Sequence, residues 1–149
     1  MSAITIRQSV LSDIDALVSL FDNYRQFYGR ASDVGAAREF LTARFNHGES
    51  VVFIAHEDNI PVGFVQLYPG FSSVSLARIF VLNDLFVREQ WRRSGIASQL
   101  MAAAVEFAKA SGAVRLSLST AITNETAQAV YQSSGWKRDE QFYVYHFAL

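Results

Sequence analysis

Apolar and polar residues alternate through Ile4-Thr5-Ile6-Arg7, within ITIRQSV (4–10), the period of a strand with one buried face. From Ser12 the period lengthens to that of a helix. Ile14, Leu17, Val18, Phe21 and Tyr28 share roughly one face, with Ser12 placed to cap the helix and Gly29 to end it. A second helix starts at Ser32 or Asp33, turns Val34, Ala37, Leu41 and Phe45 inward and closes at Gly48. The period then shortens again. VVFIAHE (51–57), the Asp58-Asn59 turn and PVGFVQLY (61–68) predict a hairpin with Pro61 near a strand start, and PGFSSVS (69–75) predicts a short loop. LARIFVLNDLFV (76–87) is a long apolar run without clean alternation, as expected of a central strand covered on both faces. A helix over about 95–111 aligns Ile96, Leu100, Ala103 and Phe107 before Gly112, and VRLSLST (114–120) follows as a strand. Asn124 is placed to cap a last helix carrying Ala127, Val130 and Tyr131 and ended by Gly135. The tail WKRDEQFYVYHFAL predicts one bent strand or a closing pair.

This order of elements predicts an α/β fold with a mixed sheet covered by helices, spanning residues 1–149 as one domain. A hydrophobic content of 50% with only 2 prolines leaves no segment that reads as a linker or as disordered. With 13 basic and 14 acidic residues the formal charge is -1, which gives no basic surface for a nucleic-acid backbone. The chain has no cysteine, so thiolate metal sites, disulfides and a cysteine nucleophile are excluded. His47, His56 and His146 lack metal-ligand spacing, so no metal is expected. MSAITIRQSV does not read as a signal peptide and no apolar run is long enough to span a bilayer, so a soluble, cytoplasmic protein is expected.

The most informative stretch is LNDLFVREQWRRSGIASQLM (82–101), where a buried strand runs through a polar loop into an amphipathic helix. Backbone N–H groups in the first helical turn lack internal partners, and the helix dipole adds positive potential there. In Arg92-Arg93-Ser94-Gly95-Ile96-Ala97, Gly95 permits close backbone approach, Ala97 is small and the two arginines add charge. Together these suit a pyrophosphate. There is no Gly-Lys-Ser/Thr for a triphosphate with magnesium and no Gly-x-Gly-x-x-Gly for a dinucleotide.

Arg92, Gly95 and Ala97 match the Gln/Arg-x-x-Gly-x-Gly/Ala signature of the GNAT superfamily of N-acetyltransferases, which the sequence resembles over nearly its whole length. Leu85-Phe86-Val87 resembles the family's bulged cofactor-binding strand, and Asn124, Ala127, Tyr131 and Gly135 match a later Asn-x-x-Ala-x-x-x-Tyr-x-x-x-Gly pattern. QLYPGFSS (66–73), LNDLFV (82–87) and YRQFY (24–28) are similar to the histone-acetyltransferase-like, small-amine branch named from yeast homologues. The resemblance implies a mostly antiparallel sheet with splayed cofactor-binding strands. It further implies acetyl-CoA as cosubstrate, and a small-molecule, amino-acid or peptide amine as acceptor.

By the same resemblance, the pantetheine arm lies between 82–87 and 114–120. Backbone groups of Leu85 and Val87 pair with its amides, and Asn124 joins the cofactor residues. A backbone N–H near Val87 then polarises the acetyl carbonyl. Tyr131 occupies the position at which the family holds a proton donor for the departing sulfur. Asp84, the nearest carboxylate on the central strand, can take the amine proton directly or through water. Diamine acetyltransferases carry an acid immediately before this aspartate, and Asn83 stands there instead. Tyr24, Tyr28, Tyr68 and Asn83 are read as the acceptor side, together with Phe27, Phe71 and Ser73. Trp91 is read as packing beneath the loop. The tail, apolar on both faces, together with the resemblance implies a homodimer. A distinct alternative is a catalytically silent acetyl-CoA sensor.

Overall fold

The computed structural model describes residues 3–149. The chain divides into two units, one ending at Leu118 and the other running from Ser119 to Leu149.

In the first unit the sheet has the order β1-β2-β3-β4-β5, made of β1 (Ile4–Gln8), β2 (Val51–Glu57), β3 (Ile60–Ser72), β4 (Ala77–Val87) and β5 (Arg115–Ser117). The first four pair antiparallel, while β5 joins β4 in parallel through the crossover helix α3 (Ile96–Ala110). This is the mixed α/β sheet that the element order predicts, mostly antiparallel as the resemblance implies. Both faces are covered. On one, Leu17, Leu20 and Phe21 of α1 (Ile14–Phe27) and Leu41 of α2 (Val34–Asn46) pack with Ile54, Phe64 and Phe86. On the other, Phe107 of α3 makes edge contacts with Phe53 and Phe80.

Several expected boundaries move. Ser12 lies in a short 3-10 turn (Leu11–Asp13) and caps nothing, because Asp13 precedes α1 and its carboxylate is held by Arg7 and by the Val10 amide. Asp33 caps α2 by accepting from the Ala36 amide at 3.0 Å, while Val34, in the first turn, remains half-exposed because the inward row begins at Ala37. The expected loop at 69–75 is largely strand: Pro69, Gly70, Phe71 and Ser72 pair with Phe80, Ile79, Arg78 and Ala77. Proline is tolerated in that run, and the true turn falls after Ser72. Gly63 is required by close approach, since a Cβ there would lie 2.7 Å from the Phe86 carbonyl oxygen.

The second unit contains α4 (Glu125–Ser133), capped as expected by Asn124, whose side chain accepts from the Ala127 amide at 3.1 Å. The expected strand or strand pair in the tail is not formed: residues 136–149 contain no strand. The Asp139 carboxylate instead accepts from the amides of Gln141 and Phe142, a local turn that competes with ladder pairing. None of the residues in 119–149 is buried. No helix among the described residues is long and apolar enough to cross a membrane.

The contact between Arg7 and Asp13 is pH-dependent. Arg7 grips Asp13 through two hydrogen bonds of 2.8 and 2.6 Å, and the guanidinium holds that carboxyl well below its usual range, at about 2. A depressed native pKa contributes stability above the unfolded value near 3.8, and that stability is lost as pH falls towards about 2. Arg7 is half-exposed, which screens the pair. Asp13→Asn is therefore expected to lower unfolding stability by about 1 kcal/mol at pH 7. Denaturant titrations across pH should show the two proteins converging between pH 4 and 2.

Candidate active site

The register of β3 against β4 slips at one point, where Gln66 opposes Asp84 and Leu67 opposes Leu82, leaving Asn83 as the extra residue of a bulge. Leu82 and Asp84 are both buried, and the bulge turns them to opposite faces of the sheet. This is why 76–87 lacks a clean period. Asp84 joins the face packed by α1, where it meets polar groups in place of the core that its neighbours suggest.

Asp84 is 5% exposed. Its carboxylate accepts from Gln66 Nε2 at 2.8 Å and from Asn83 Nδ2 at 3.1 Å. The Tyr24 and Tyr68 phenols lie close enough to feel it. Burial first, and the Asp84 charge second, push both phenols far above the ordinary tyrosine range, so both remain protonated. Among the described residues Asp84 has no ion-pair partner. A buried anion satisfied only by neutral donors is a strong attractor for a cation. Asp84, Asn83, Tyr24 and Tyr68, separated by up to sixty positions along the chain, are thus brought together.

Gln66 was not singled out by the sequence reading. It is fully buried, and Nε2 spends its two hydrogens on Asp84 Oδ2 and on the Tyr68 hydroxyl at 3.1 Å. Its Oε1 has no hydrogen-bond partner among the described residues. The available signal was an amide side chain inside the apolar run Val62-Gly63-Phe64-Val65-Gln66-Leu67.

Beside this group lies a cleft of about 240 Å³ lined by Tyr24, Phe27, Tyr28, Leu85, Phe86, Val87 and Arg92. It unites the expected acceptor residues Tyr24 and Tyr28 with the expected cofactor residues Leu85 and Val87. Tyr24 is fixed by edge-on contacts with Tyr28, Phe64 and Phe86 at ring separations of 5.1, 5.6 and 6.0 Å. Phe71 is not part of the cleft; it is exposed and packs under the Arg78 guanidinium.

Arg92 has a specific post. Its Nε donates to the Val87 carbonyl at 2.8 Å, and its guanidinium stacks over Phe27 and Phe86. It braces the end of β4 against α1 and contributes positive charge to the cleft wall. Beyond it the turn has left-handed backbone at Arg93 (φ 62°) and Gly95 (φ 83°), and Gly95 is the N-cap of α3. Ser94 Oγ donates inward to the Trp91 carbonyl at 2.5 Å, and Trp91 Nε1 donates to Glu57, so both side chains hold the loop. Trp91 packs as expected. Ile96 is buried and pins the first helical turn, with Ala97 beside it.

The α3 N-terminus has no side-chain cap and no acidic residue in its first turn, and a Cβ built on Gly95 meets nothing within 4 Å. Uncovered amides, open space and flanking arginines fit a diphosphate. β5 pairs with Ile79–Val81, so the stretch from Leu82 to Val87 continues past the end of that ladder. Within the second unit the Asn124 side chain is engaged in capping, and Tyr131 sits on α4 with its ring 6.3 Å from that of Trp136.

Residues 17–136 match the model of the acetyltransferase (GNAT) family. The chain is 45% identical over 140 residues to the uncharacterized N-acetyltransferase YhfO of Bacillus subtilis, covering 94% of each protein. A crystal structure of a probable acetyltransferase is 41% identical and superposes with a TM-score of 0.93 over 97% of each chain. An aminoglycoside N-acetyltransferase in complex with CoA shares the fold, with a TM-score of 0.81 over 100% of this chain and 97% of its own at 21% identity.

Gly95→Glu places bulk and negative charge in the open space above the α3 amides, on a backbone that L residues rarely adopt. Calorimetry is expected to show CoA affinity reduced by at least about 100-fold. Undiminished affinity in the folded variant would show that the diphosphate is held elsewhere.

Proposed function

The chain belongs to the GNAT acetyltransferase family, and from that premise we propose that it transfers an acetyl group from acetyl-CoA to the primary amine of a small molecule, amino acid or peptide, by direct attack in a ternary complex. The observation that carries the acceptor reading is Asp84, a buried carboxylate with neutral donors only, next to a cleft that also reaches Leu85 and Val87.

Amides at Gly95, Ile96 and Ala97, with Arg92 and Arg93 beside them, hold the diphosphate, and main-chain groups of Leu85 and Val87 orient the arm. Bound there, acetyl-CoA supplies an acetyl group activated as a thioester. An alkyl ammonium has a pKa of about 10.4, so releasing its proton at pH 7 costs roughly 4 to 5 kcal/mol. Asp84 attracts the ammonium and takes that proton on its carboxylate. Tyr24 and Tyr68, kept protonated, leave Asp84 the only anion of the group. A main-chain N–H near Val87 stabilises negative charge developing on the acyl oxygen. Tyr131 holds the proton that the departing sulfur requires, a role supported by its place in the Asn124-to-Gly135 pattern.

The tail adds an assembly. Phe142, Tyr143, Val144, Tyr145 and Phe147 are all highly exposed, more apolar surface than a short arm leaves to water without a partner. We infer that a second copy covers it, giving a homodimer.

Because the chain contains no cysteine, release of free CoA can be followed with a thiol reagent without background from the protein. A panel of primary amines is expected to reveal steady turnover. Asp84→Asn should lower kcat/KM by about 100-fold or more, and Tyr131→Phe should lower single-turnover rates by about 10-fold or more, both with CoA affinity intact. Tight CoA binding without turnover of any amine would favour the silent-sensor reading. Light scattering is expected to give twice the chain mass, falling to the chain mass in the double variant Phe142→Asp, Val144→Asp; a monomeric parent protein would refute the assembly.

A further inference from the structure

Gln66 stands at a place where a fully buried polar side chain needs a reason. It lies directly opposite Asp84 across the β3–β4 ladder, and its amide nitrogen is fully used, one hydrogen on Asp84 Oδ2 and one on the Tyr68 hydroxyl. That pairing also fixes which end of the amide is which. Turning the group over would set its carbonyl oxygen against the Asp84 carboxylate, two acceptors with no proton between them. Oε1 is therefore the end left over, buried and without a partner among the described residues. Folded proteins keep few such atoms, because a buried acceptor forfeits its bonds to water.

We propose that Gln66 is a second recognition group for the acceptor: Nε2 fixes the Asp84 carboxylate, and Oε1 accepts one N–H of the protonated amine whose charge Asp84 neutralises. The spacing suits this. Covalent geometry puts Oε1 about 2.3 Å from Nε2, and Nε2 is 2.8 Å from Asp84 Oδ2, so the two oxygens are no more than about 5 Å apart. A single nitrogen donating about 2.9 Å to each side spans that separation. The bond assignments also separate the two functions chemically. Asp84 needs one N–H and a positive charge, whereas the Gln66 contact needs a second N–H on the same nitrogen. A primary ammonium satisfies both; its N,N-dimethyl analogue, with a single N–H, satisfies only Asp84.

The inference rests on the acceptor reading given above, and its test separates the two. Binding of a primary amine that the enzyme acetylates, and of its N,N-dimethyl analogue, is measured by calorimetry on the complex with CoA, in the parent protein and in Gln66→Met. Methionine keeps the length and fills the volume while removing both the donor and the acceptor. The expected result is a loss of about 10- to 100-fold in affinity for the primary amine and a much smaller change for the dimethyl analogue, with CoA affinity preserved and the melting temperature lowered because Asp84 loses one donor. In steady state the same variant should raise KM for the amine more than it lowers kcat. A second measurement uses the unaltered sequence: with carbon-13 in glutamine side chains, the Gln66 carbonyl resonance should shift when the primary amine is added and stay when the analogue is added. Equal losses for the two amines, or no loss for either, or a carbonyl that does not respond, would reduce Gln66 to a structural partner of Asp84. A parent protein that binds neither amine would overturn the acceptor reading itself.

Discussion

The site depends on keeping a carboxylate out of water without giving it a cation. An isolated buried charge is strongly unfavourable, and the usual remedies are neutralisation by a partner or loss of the charge. Here the remedy is a ring of neutral groups: the amides of Gln66 and Asn83 donate, and two phenols, whose pKa burial raises further, stand close by. They come from three constraints of the fold, Tyr68 sharing β3 with Gln66. Gln66 arrives through antiparallel register, Asn83 through the bulge, and Tyr24 through the packing of α1 on the sheet. The bulge is decisive among these, because without its extra residue Asp84 would share a face with Leu82, beneath α3.

The same strand carries the two halves of the expected chemistry. Its middle presents Asp84, and its end, at Leu85 and Val87, borders the cleft that Tyr24 and Tyr28 also line. Arg92 joins that end to the turn preceding α3, bonding the Val87 carbonyl while its guanidinium lies on Phe27 and Phe86. A guanidinium stacked on aromatic rings is held in place and keeps its charge. The turn proposed to bind the diphosphate and the side proposed to take the acceptor are therefore mechanically connected through one side chain, and the short backbone approach at Gly63 keeps β3 and β4 tight where that connection begins.

Much of this was legible along the chain, for local reasons. Asp33 and Asn124 cap their helices, and Gly95 adopts the left-handed conformation at the start of α3, because capping and positive φ are decided within a few residues. Elsewhere a local rule met a stronger competitor. Ser12 has the chemistry of a cap, yet the Arg7–Asp13 pair occupies that corner. Pro69 and Gly70 read as a loop, yet pairing with β4 extends the strand through them. The alternation of 142–147 reads as a strand, but a strand exists only where a neighbour supplies its hydrogen bonds, and Asp139 turns the chain locally instead.

The sequence alone determined the order of helices and strands, the glycine turn beneath the expected diphosphate and the family to which both point, since each is written in contiguous spacing. Only the tertiary structure decided that Gln66 belongs with Asp84, that burial raises the pKa of both phenols, and that Leu82 and Asp84 part to opposite faces. Those outcomes depend on cross-strand register and on burial, and neither quantity is carried by neighbours in the chain.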